Sequence, residues 1–211
     1  MPAYEIALKI VYNKMEFSNS EIKDLLITFF PSLKEKEIDC ILSISEYQVA
    51  TNKEIILYSG RRDKNVILIL KGVARAYSIS EKGLELNDYI RAEGKLMADA
   101  RVFGNDIQIL NIEAIGDIQY LKFNICNLEE LGYSNPELMK FYLNILKEII
   151  LTVTHRLNTF ITMTPKERYL DLLLWNPVLI ETSYDKHLAS FLGIKPLTIH
   201  RIKKEIVKPI K

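Results

Sequence analysis

Hydrophobic residues repeat with two different periods along this chain, and the places where the period changes divide it into regions. After Asn19 or Ser20, either of which can cap a helix, apolar residues recur at helical spacing until Pro31 interrupts them. The sequence from Ser32 to Glu35 is a capping box and predicts a second helix over about 33–45. The region before residue 46 is therefore expected to be mainly helical.

From Glu46 onward the apolar runs become short, and a glycine lies in the turn between most of them. The runs span residues 55–58, 66–70, 73–77, 86–90, 107–112 and 118–123. Strands of about four to eight residues, separated by glycine-containing turns every ten residues or so, are typical of an antiparallel β-sandwich or β-roll.

A long helix follows, with Asn135 as its cap and Pro136 in its first turn. One apolar stripe has the alternating spacing of a coiled coil: Met139, Leu143, Leu146, Ile150, Val153, Leu157 and Phe160. A second stripe lies on an adjacent face: Leu138, Tyr142, Ile145 and Ile149. Two stripes need two partners, and the economical arrangement is the β domain on one side and the same helix of a second subunit on the other. An ordinary buried core helix is the alternative.

A small helical domain is predicted after the long helix, with the boundary near residues 160–165. The segment from Thr164 to Glu167 ends the long helix and caps the next one. The apolar positions of that next helix are Tyr169, Leu170, Leu172, Leu173 and Trp175.

Residues 185–204 have the pattern of a helix-turn-helix. Ala189 is small where the two helices would cross, and Gly193 can adopt the positive φ of a tight turn without a Cβ penalty. Ile199 and Ile202 follow at helical spacing and can pack back on the first helix. Polar and basic residues on the outer side of the second helix suit a DNA major groove.

Composition limits the class of protein. With 211 residues, 48% hydrophobic and 26% charged, the chain matches a soluble globular protein. It has no apolar run of about 18 residues and no secretory signal pattern, so we expect a cytoplasmic protein without a membrane span. Cys40 and Cys126 are the only cysteines; they cannot form a four-thiolate metal site and are expected to be buried.

Charge is unevenly distributed, although the net charge is only +1. From Thr182 to Lys211, seven Lys or Arg residues stand against Asp185 and Glu205, which leaves this segment at +5 and the remainder at −4. A basic end on a nearly neutral chain is a modest electrostatic signature of DNA binding. A solvated, lysine-rich helix end is the alternative.

Several motifs occur in a characteristic order. They are the turn glycines Gly60, Gly72, Gly83 and Gly94, the runs Tyr58 to Gly60 and Ile69 to Tyr77, and the segments Asn111 to Ile115, Thr164 to Tyr169 and Leu188 to Ile194. In this order and spacing the whole chain resembles the Crp/Fnr family of bacterial transcription regulators. No single motif is specific, and the strength of the match lies in their arrangement across nearly the whole sequence.

The resemblance implies an α+β fold. Residues 1–134 would form a cyclic-nucleotide-binding-type antiparallel β-roll, jelly-roll-like, with N-terminal helices; residues 135–162 a long dimerisation helix; and residues 163–211 a helix-turn-helix DNA-binding domain. A homodimer would place two recognition helices in successive major grooves of double-stranded DNA. An effector in the β-roll would change the angle between the dimer helices.

The effector pocket implied by the resemblance comprises Ala98, Asp99, Arg101, Gln108 and Ile109. In nucleotide-binding members a Gly-Glu pair and, some ten residues on, an Arg-Ser/Thr pair grip the ribose and the cyclic phosphate. Here Ala98-Asp99 replaces the first pair, and the arginine position falls on Gln108 or Ile109, neither of which is charged. Burying a phosphate without a cation is costly, so we expect no cAMP or cGMP binding of the usual kind. Arg101 is the one residue that could substitute.

No other cofactor is predicted. The chain has no N-terminal cysteine cluster for an iron–sulfur centre. Its three histidines, His155, His187 and His200, lie outside the predicted β-roll and form no readable haem or metal pattern.

The resemblance implies a recognition helix from about Lys195 to Val207. Arg201 stands where family members use an arginine to reach a guanine edge, with Thr198 and His200 as further candidates for base contact. Candidates for phosphate contact are Lys195, Lys203, Lys204, Lys186 and His187. The sequence departs from many relatives at Pro196 and Leu197, where polar groups are common. A merely solvated helix residue is the alternative for Arg201.

A dimeric, sequence-specific transcription regulator is therefore the leading hypothesis. An effector-sensing or interaction module with degenerate DNA binding is the alternative, motivated by Pro196, Leu197 and the low net charge. An enzyme is not expected, because the sequence has no supported nucleophile–base arrangement, paired carboxylates, Walker-type loop or metal motif. RNA polymerase and an unidentified small-molecule effector are further candidate partners.

Overall fold

The computed structural model describes residues 16–207. Its helices are α1 (Asn19–Phe29), α2 (Glu35–Ser43), α3 (Ile125–Ser134), α4 (Pro136–Thr162), α5 (Pro165–Trp175), α6 (Pro177–Thr182), α7 (Asp185–Leu192) and α8 (Pro196–Val207). Its strands are β1 (Ser45–Ala50), β2 (Ile55–Leu57), β3 (Asn65–Ile79), β4 (Glu85–Arg91), β5 (Leu96–Met97) and β6 (Asn111–Asn124), with a 3₁₀ turn at Ala100–Phe103. This mixture of an antiparallel sheet and C-terminal helices confirms the predicted α+β class.

The β-roll is organised around its two long strands, β3 and β6. The path of the sheet is β1-β6-β3-β4, with β2 also paired to β6 and β5 to β3, and every pair is antiparallel. Strand β4 therefore lies at one edge. This edge faces the C-terminal helices.

Two glycines with positive φ lie inside the long strands where the sequence predicted turns. The runs 66–70 and 73–77 belong to the single strand β3, whose register shifts around Gly72. A Cβ on Gly72, at φ +96°, would lie 2.7 Å from the Asp117 carbonyl oxygen, so a larger residue has no room. Gly116 likewise lies inside β6. A glycine in a strand can mark an irregularity without ending the strand, which is why the predicted breaks are wrong.

The predicted strand over 107–112 is also wrong. Only its last two residues belong to β6, and the stretch before them is a loop. The backbone amides of Ile109 and Leu110 donate to the Asp99 carboxylate instead of to a neighbouring strand. Residues 107–110 therefore form a loop that the Asp99 side chain stabilises.

The N-terminal helices begin at different residues from those predicted. Ser18, rather than Asn19 or Ser20, caps α1, and it forms a capping box with Glu21. Helix α2 begins at Glu35 rather than at 33. Lys34 is its N-cap, and the backbone amide of Lys34 donates to the Glu37 carboxylate.

Three hydrophobic clusters hold the molecule together. The first lies between the sheet and helices α1 to α4, and it buries Leu138, Phe141 and Ile145 of α4. The second fills the interior of the β-roll. The third is the core of the C-terminal helices, and Ile90 of β4 belongs to it together with Val73 and Ile115 of the other strands. The C-terminal helices thus share their core with the edge of the sheet.

Candidate functional site

The C-terminal helices form a helix-turn-helix whose turn depends on Gly193. This residue adopts φ +65° at the end of α7, and its amide closes the turn on Ser190. The positive φ favours glycine, and a Cβ at this position would lie 2.7 Å from Cε1 of Phe160 on the long helix, so a larger residue would also have to displace that ring. The predicted turn is confirmed.

Helix α8 crosses α7 on an apolar side and turns another side outward. Ile199 and Ile202 are buried with Leu188 and Leu192 of α7, as predicted, and Ala189 is 1% exposed where the helices cross. Four exposed residues with helical spacing form the outward side, which we call the reading face: Leu197, His200, Arg201 and Lys204.

The other predicted DNA contacts fall into two groups. Lys186 and Lys195 are exposed, and Thr198 is half-buried at the margin of the reading face. Lys203 is half-buried, and its Nζ lies 2.6 Å from Oδ1 of Asp185 at the start of α7. Lys203 therefore ties α8 to α7, and its charge is partly neutralised.

His187 differs from its predicted role. Its side chain is buried, with 5% of the residue exposed, and its ring lies 5.7 Å from that of Tyr184. Burial, assisted by Arg75 and Lys186, lowers the pKa of His187 to about 4. A buried, neutral imidazole is not available to a phosphate, which corrects the assignment of His187 as a phosphate contact.

A cavity of about 620 Å³ lies between the β-roll, α4 and the C-terminal helices. Ala98, Asp99, Arg101 and Ile109 line it, as the resemblance implied for an effector pocket. Gln108 does not; it is buried in the loop, where its side-chain amide donates to the Asp63 carbonyl oxygen.

Asp99 closes the loop that the resemblance assigns to phosphate binding. Its buried carboxylate accepts hydrogen bonds from the amides of Ile109 at 2.6 Å and Leu110 at 3.0 Å through Oδ2. Its Oδ1 accepts from the Arg101 amide at 3.0 Å and the Arg101 guanidinium at 3.2 Å. The backbone amides of this loop are thus already bound to an anion that belongs to the chain.

A second buried charge, which sequence reasoning missed, lies behind the helix-turn-helix. Arg75 of β3 is 2% exposed and binds both oxygens of Glu113 at 2.9 Å, Glu85 at 2.7 Å and the side chain of Asn87 at 3.0 Å. Burial opposes the charge, but Glu113 and Glu85 outweigh it and raise the pKa of Arg75. The Asn87 side chain donates in turn to the His187 carbonyl oxygen at 2.9 Å, so this network reaches α7.

The long helix has one covered and one uncovered apolar stripe. The stripe containing Leu138 and Ile145 is buried against the rest of the chain, as predicted. In the other stripe Leu143, Ile150, Val153 and Leu157 are 54–64% exposed, whereas Met139 and Leu146 are half-buried. Phe160 is 41% exposed, and one edge of its ring packs on the turn at Gly193.

The cysteines and histidines form no metal centre within residues 16–207, where no group of three or more metal-binding side chains occurs. Cys126 is exposed and Cys40 is half-buried, so their predicted burial is wrong. His155 is half-buried and pairs with Asp171 of α5 at 2.9 Å. Over the same described range, every helix is too short or too polar to span a membrane.

Solved structures with this fold are numerous, although neither a family model nor a curated protein sequence matches the chain. FixK2 from Bradyrhizobium japonicum is 14% identical, with a TM-score of 0.67 over 77% of this chain and 84% of its own. The c-di-GMP-responsive global regulator CLP from Xanthomonas campestris is 14% identical, with a TM-score of 0.64 over 82% and 91%. A CooA mutant from Carboxydothermus hydrogenoformans is 16% identical, with a TM-score of 0.62 over 79% and 78%.

These neighbours are Crp/Fnr regulators, and at such low identity the likeness establishes the fold. The chain therefore has the fold that its sequence pattern predicted, a β-roll followed by a long helix and a helix-turn-helix.

Proposed function

We propose that this protein is a sequence-specific DNA-binding transcription regulator. The observation that carries the proposal is the reading face of α8, where Arg201 and Lys204 are exposed while the opposite side of the helix is buried. Arginine matches the O6 and N7 acceptors of guanine in the major groove, and lysine suits phosphate. Lys186 and Lys195 add exposed positive charge at the starts of the two helices of the helix-turn-helix.

The proposal is tested by selecting bound fragments from random DNA with the purified protein and no added ligand. We expect enrichment of a near-palindrome whose half-sites lie one helical turn, about 34 Å, apart. Enrichment of a single unpaired half-site would refute the dimeric arrangement. Loss of the bound fraction with salt but no sequence enrichment would support the alternative, an effector-sensing or interaction module with degenerate DNA binding.

The dimeric part of the proposal rests on the uncovered stripe of α4. Leu143, Ile150, Val153 and Leu157 present apolar side chains at coiled-coil spacing along about four turns of a 27-residue helix. The same helix of a second copy fits this stripe. Sedimentation should detect a dimer for the wild type and for Asn144→Glu, an exposed position on the polar side of the helix. Ile150→Glu should shift the equilibrium to monomer, and a dimer unaffected by Ile150→Glu would exclude the stripe as the interface.

We propose further that no cyclic nucleotide binds in the usual way. The support is Asp99, whose carboxylate holds the amides of Ile109 and Leu110 and would repel a phosphate placed beside it. Titration of the protein with millimolar cAMP in a calorimeter should give no saturable heat, and saturable heat would overturn this part. The cavity is a candidate site for a small-molecule effector. We expect action in the cytoplasm, with RNA polymerase as a further candidate partner.

A further inference from the structure

We propose that Arg156 is a positioning residue for DNA reading. Through its guanidinium the long helix holds the first helix of the helix-turn-helix against the edge of the β-roll, and this contact sets the direction of the reading face. The inference rests on the proposed DNA-binding function for its consequence, whereas the contact itself can be tested without DNA.

Arg156 donates to three acceptors on two elements, strand β4 and helix α7. Its Nη2 donates to the Asn87 carbonyl oxygen of β4 at 3.1 Å and to the Phe191 carbonyl oxygen of α7 at 3.2 Å. Its Nη1 donates to Oδ1 of Asp88 at 3.2 Å. A planar guanidinium with several N–H groups can serve these acceptors together, which an ammonium on a flexible stem does less well.

The acceptors on α7 are carbonyl groups at the end of that helix, where intrahelical donors are lacking. Arg156 binds the Phe191 carbonyl, and Nε of Arg168 binds the Leu192 carbonyl at 3.1 Å. Both arginines lie at the negative end of the helix dipole. The Phe160 ring lies near both, with its centre 4.7 Å from the Arg168 guanidinium and 5.5 Å from that of Arg156. The end of α7 is therefore surrounded by two arginines and an aromatic ring.

Helix α7 also occupies the free edge of the sheet. The Ser190 hydroxyl accepts a hydrogen bond from the backbone amide of Asn87 in β4 at 2.8 Å and donates one to the Glu85 carbonyl oxygen at 3.3 Å. These are edge groups that a neighbouring strand would otherwise satisfy. The side chain of Asn87 adds the bond to the His187 carbonyl described above.

The position of α7 determines that of α8. The two helices share a buried core, the tight turn at Gly193 joins them, and the Lys203–Asp185 pair ties them together at 2.6 Å. Arg156 lies on α4 between Val153 and Leu157 in sequence, beside the stripe proposed to contact the second copy. It therefore connects the proposed dimer axis to the reading face, and the spacing of two reading faces depends on it.

The experiment compares Arg156→Ala and Arg156→Lys with Lys147→Ala, which removes an exposed charge from the same helix. Affinity is measured for the selected palindrome and for an isolated half-site. A misdirected reader loses simultaneous engagement of both half-sites, so Arg156→Ala should lose at least about tenfold on the palindrome and less than about threefold on the half-site. Arg156→Lys should lie between Arg156→Ala and wild type, and Lys147→Ala should stay within about twofold of wild type. Equal loss on both DNAs, or no loss, would overturn the inference.

Hydrogen exchange without DNA supplies the second readout. In Arg156→Ala the amides of α7 and β4 should exchange faster, while those of β6 keep their wild-type protection. Uniform acceleration throughout the chain would assign Arg156 a general stabilising role, and unchanged protection of α7 would refute the contact. Arg156→Lys serves both readouts if the alanine variant fails to fold. Absence of DNA binding by the ligand-free wild type would count against the proposed function, yet the exchange comparison would still test the contact.

Discussion

The β-roll and the recognition helix keep their charged side chains in opposite surroundings. In the β-roll, Arg75 and Asp99 are each 2% exposed, and their polar atoms are held by groups of the same chain. On α8, Arg201 and Lys204 are exposed, and within residues 16–207 neither forms an ion pair. A buried, paired charge stabilises the one conformation in which its partners surround it, whereas an exposed cation is available to a polyanion. The difference separates a region whose charges are paired within the chain from a region whose charges are exposed to solvent.

The largest effect should follow from removing the buried cation. Arg75→Ala leaves Glu113 and Asn87 without their partner in the core, and we expect a loss of about 3–5 kcal/mol in the free energy of unfolding. Urea denaturation followed by circular dichroism measures this loss, with the exposed Arg62→Ala as control. A loss below about 1 kcal/mol would mean that Glu113 reaches water, and the contrast with α8 would then fail.

Removing the buried anion should have a somewhat smaller effect. Asp99→Ala leaves the amides of Ile109 and Leu110 without an acceptor, and we expect a loss of about 2–4 kcal/mol of unfolding free energy. Asp99→Asn should lose less, because its amide oxygen still accepts. Asp106→Ala, an exposed residue of the same loop region, is the control. Equal stability of Asp99→Ala and Asp106→Ala would show that the loop does not depend on the carboxylate.

The buried side chain of His187 should make the free energy of unfolding depend on pH. In the unfolded chain its imidazole takes up a proton near pH 6.5, whereas in the folded protein the pKa is lowered to about 4. Between these values the unfolded state binds more protons, so stability is complete above pH 6.5 and falls as the pH drops toward 4.

We expect wild type to lose about 2 kcal/mol more than His187→Phe between pH 7 and pH 5, measured by urea denaturation. His200→Phe, on the exposed reading face, should follow wild type. Parallel pH profiles for wild type and His187→Phe would contradict the buried, neutral state of His187.

Substitutions on the reading face should have the smallest effect on stability. Their effect should be on DNA affinity alone. Arg201→Ala should leave unfolding unchanged within about 0.5 kcal/mol and weaken binding to the selected site by about 1–3 kcal/mol, relaxing one base position. Fluorescence anisotropy with specific and random DNA measures this. Arg62→Ala removes an exposed arginine from the β-roll and should bind like wild type. An equal loss on both DNAs would make Arg201 a phosphate contact.

Much of the fold was predictable because its signals are local. The two stripes of α4 follow from helical periodicity, and the structure buries the one containing Leu138 and Ile145. The turn at Gly193 follows from the need for a positive φ. Prediction failed where a local pattern is compatible with two structures. The register of β3 shifts around Gly72 without ending the strand, and the apolar run at 107–110 lies in a loop.

The order of the elements and the apolar side of each helix follow from the amino-acid pattern alone, because residues three or four positions apart settle both. Which distant groups meet depends instead on how the elements pack in three dimensions. Arg75 binds Glu113 on the neighbouring strand, Asp99 accepts from the amide of Leu110 across a loop, and Arg156 joins Asn87 to Phe191. Burying His187 was decided in the same way, by the docking of α7 on the sheet edge. Such pairings depend on how the elements pack, and no spacing along the chain records them.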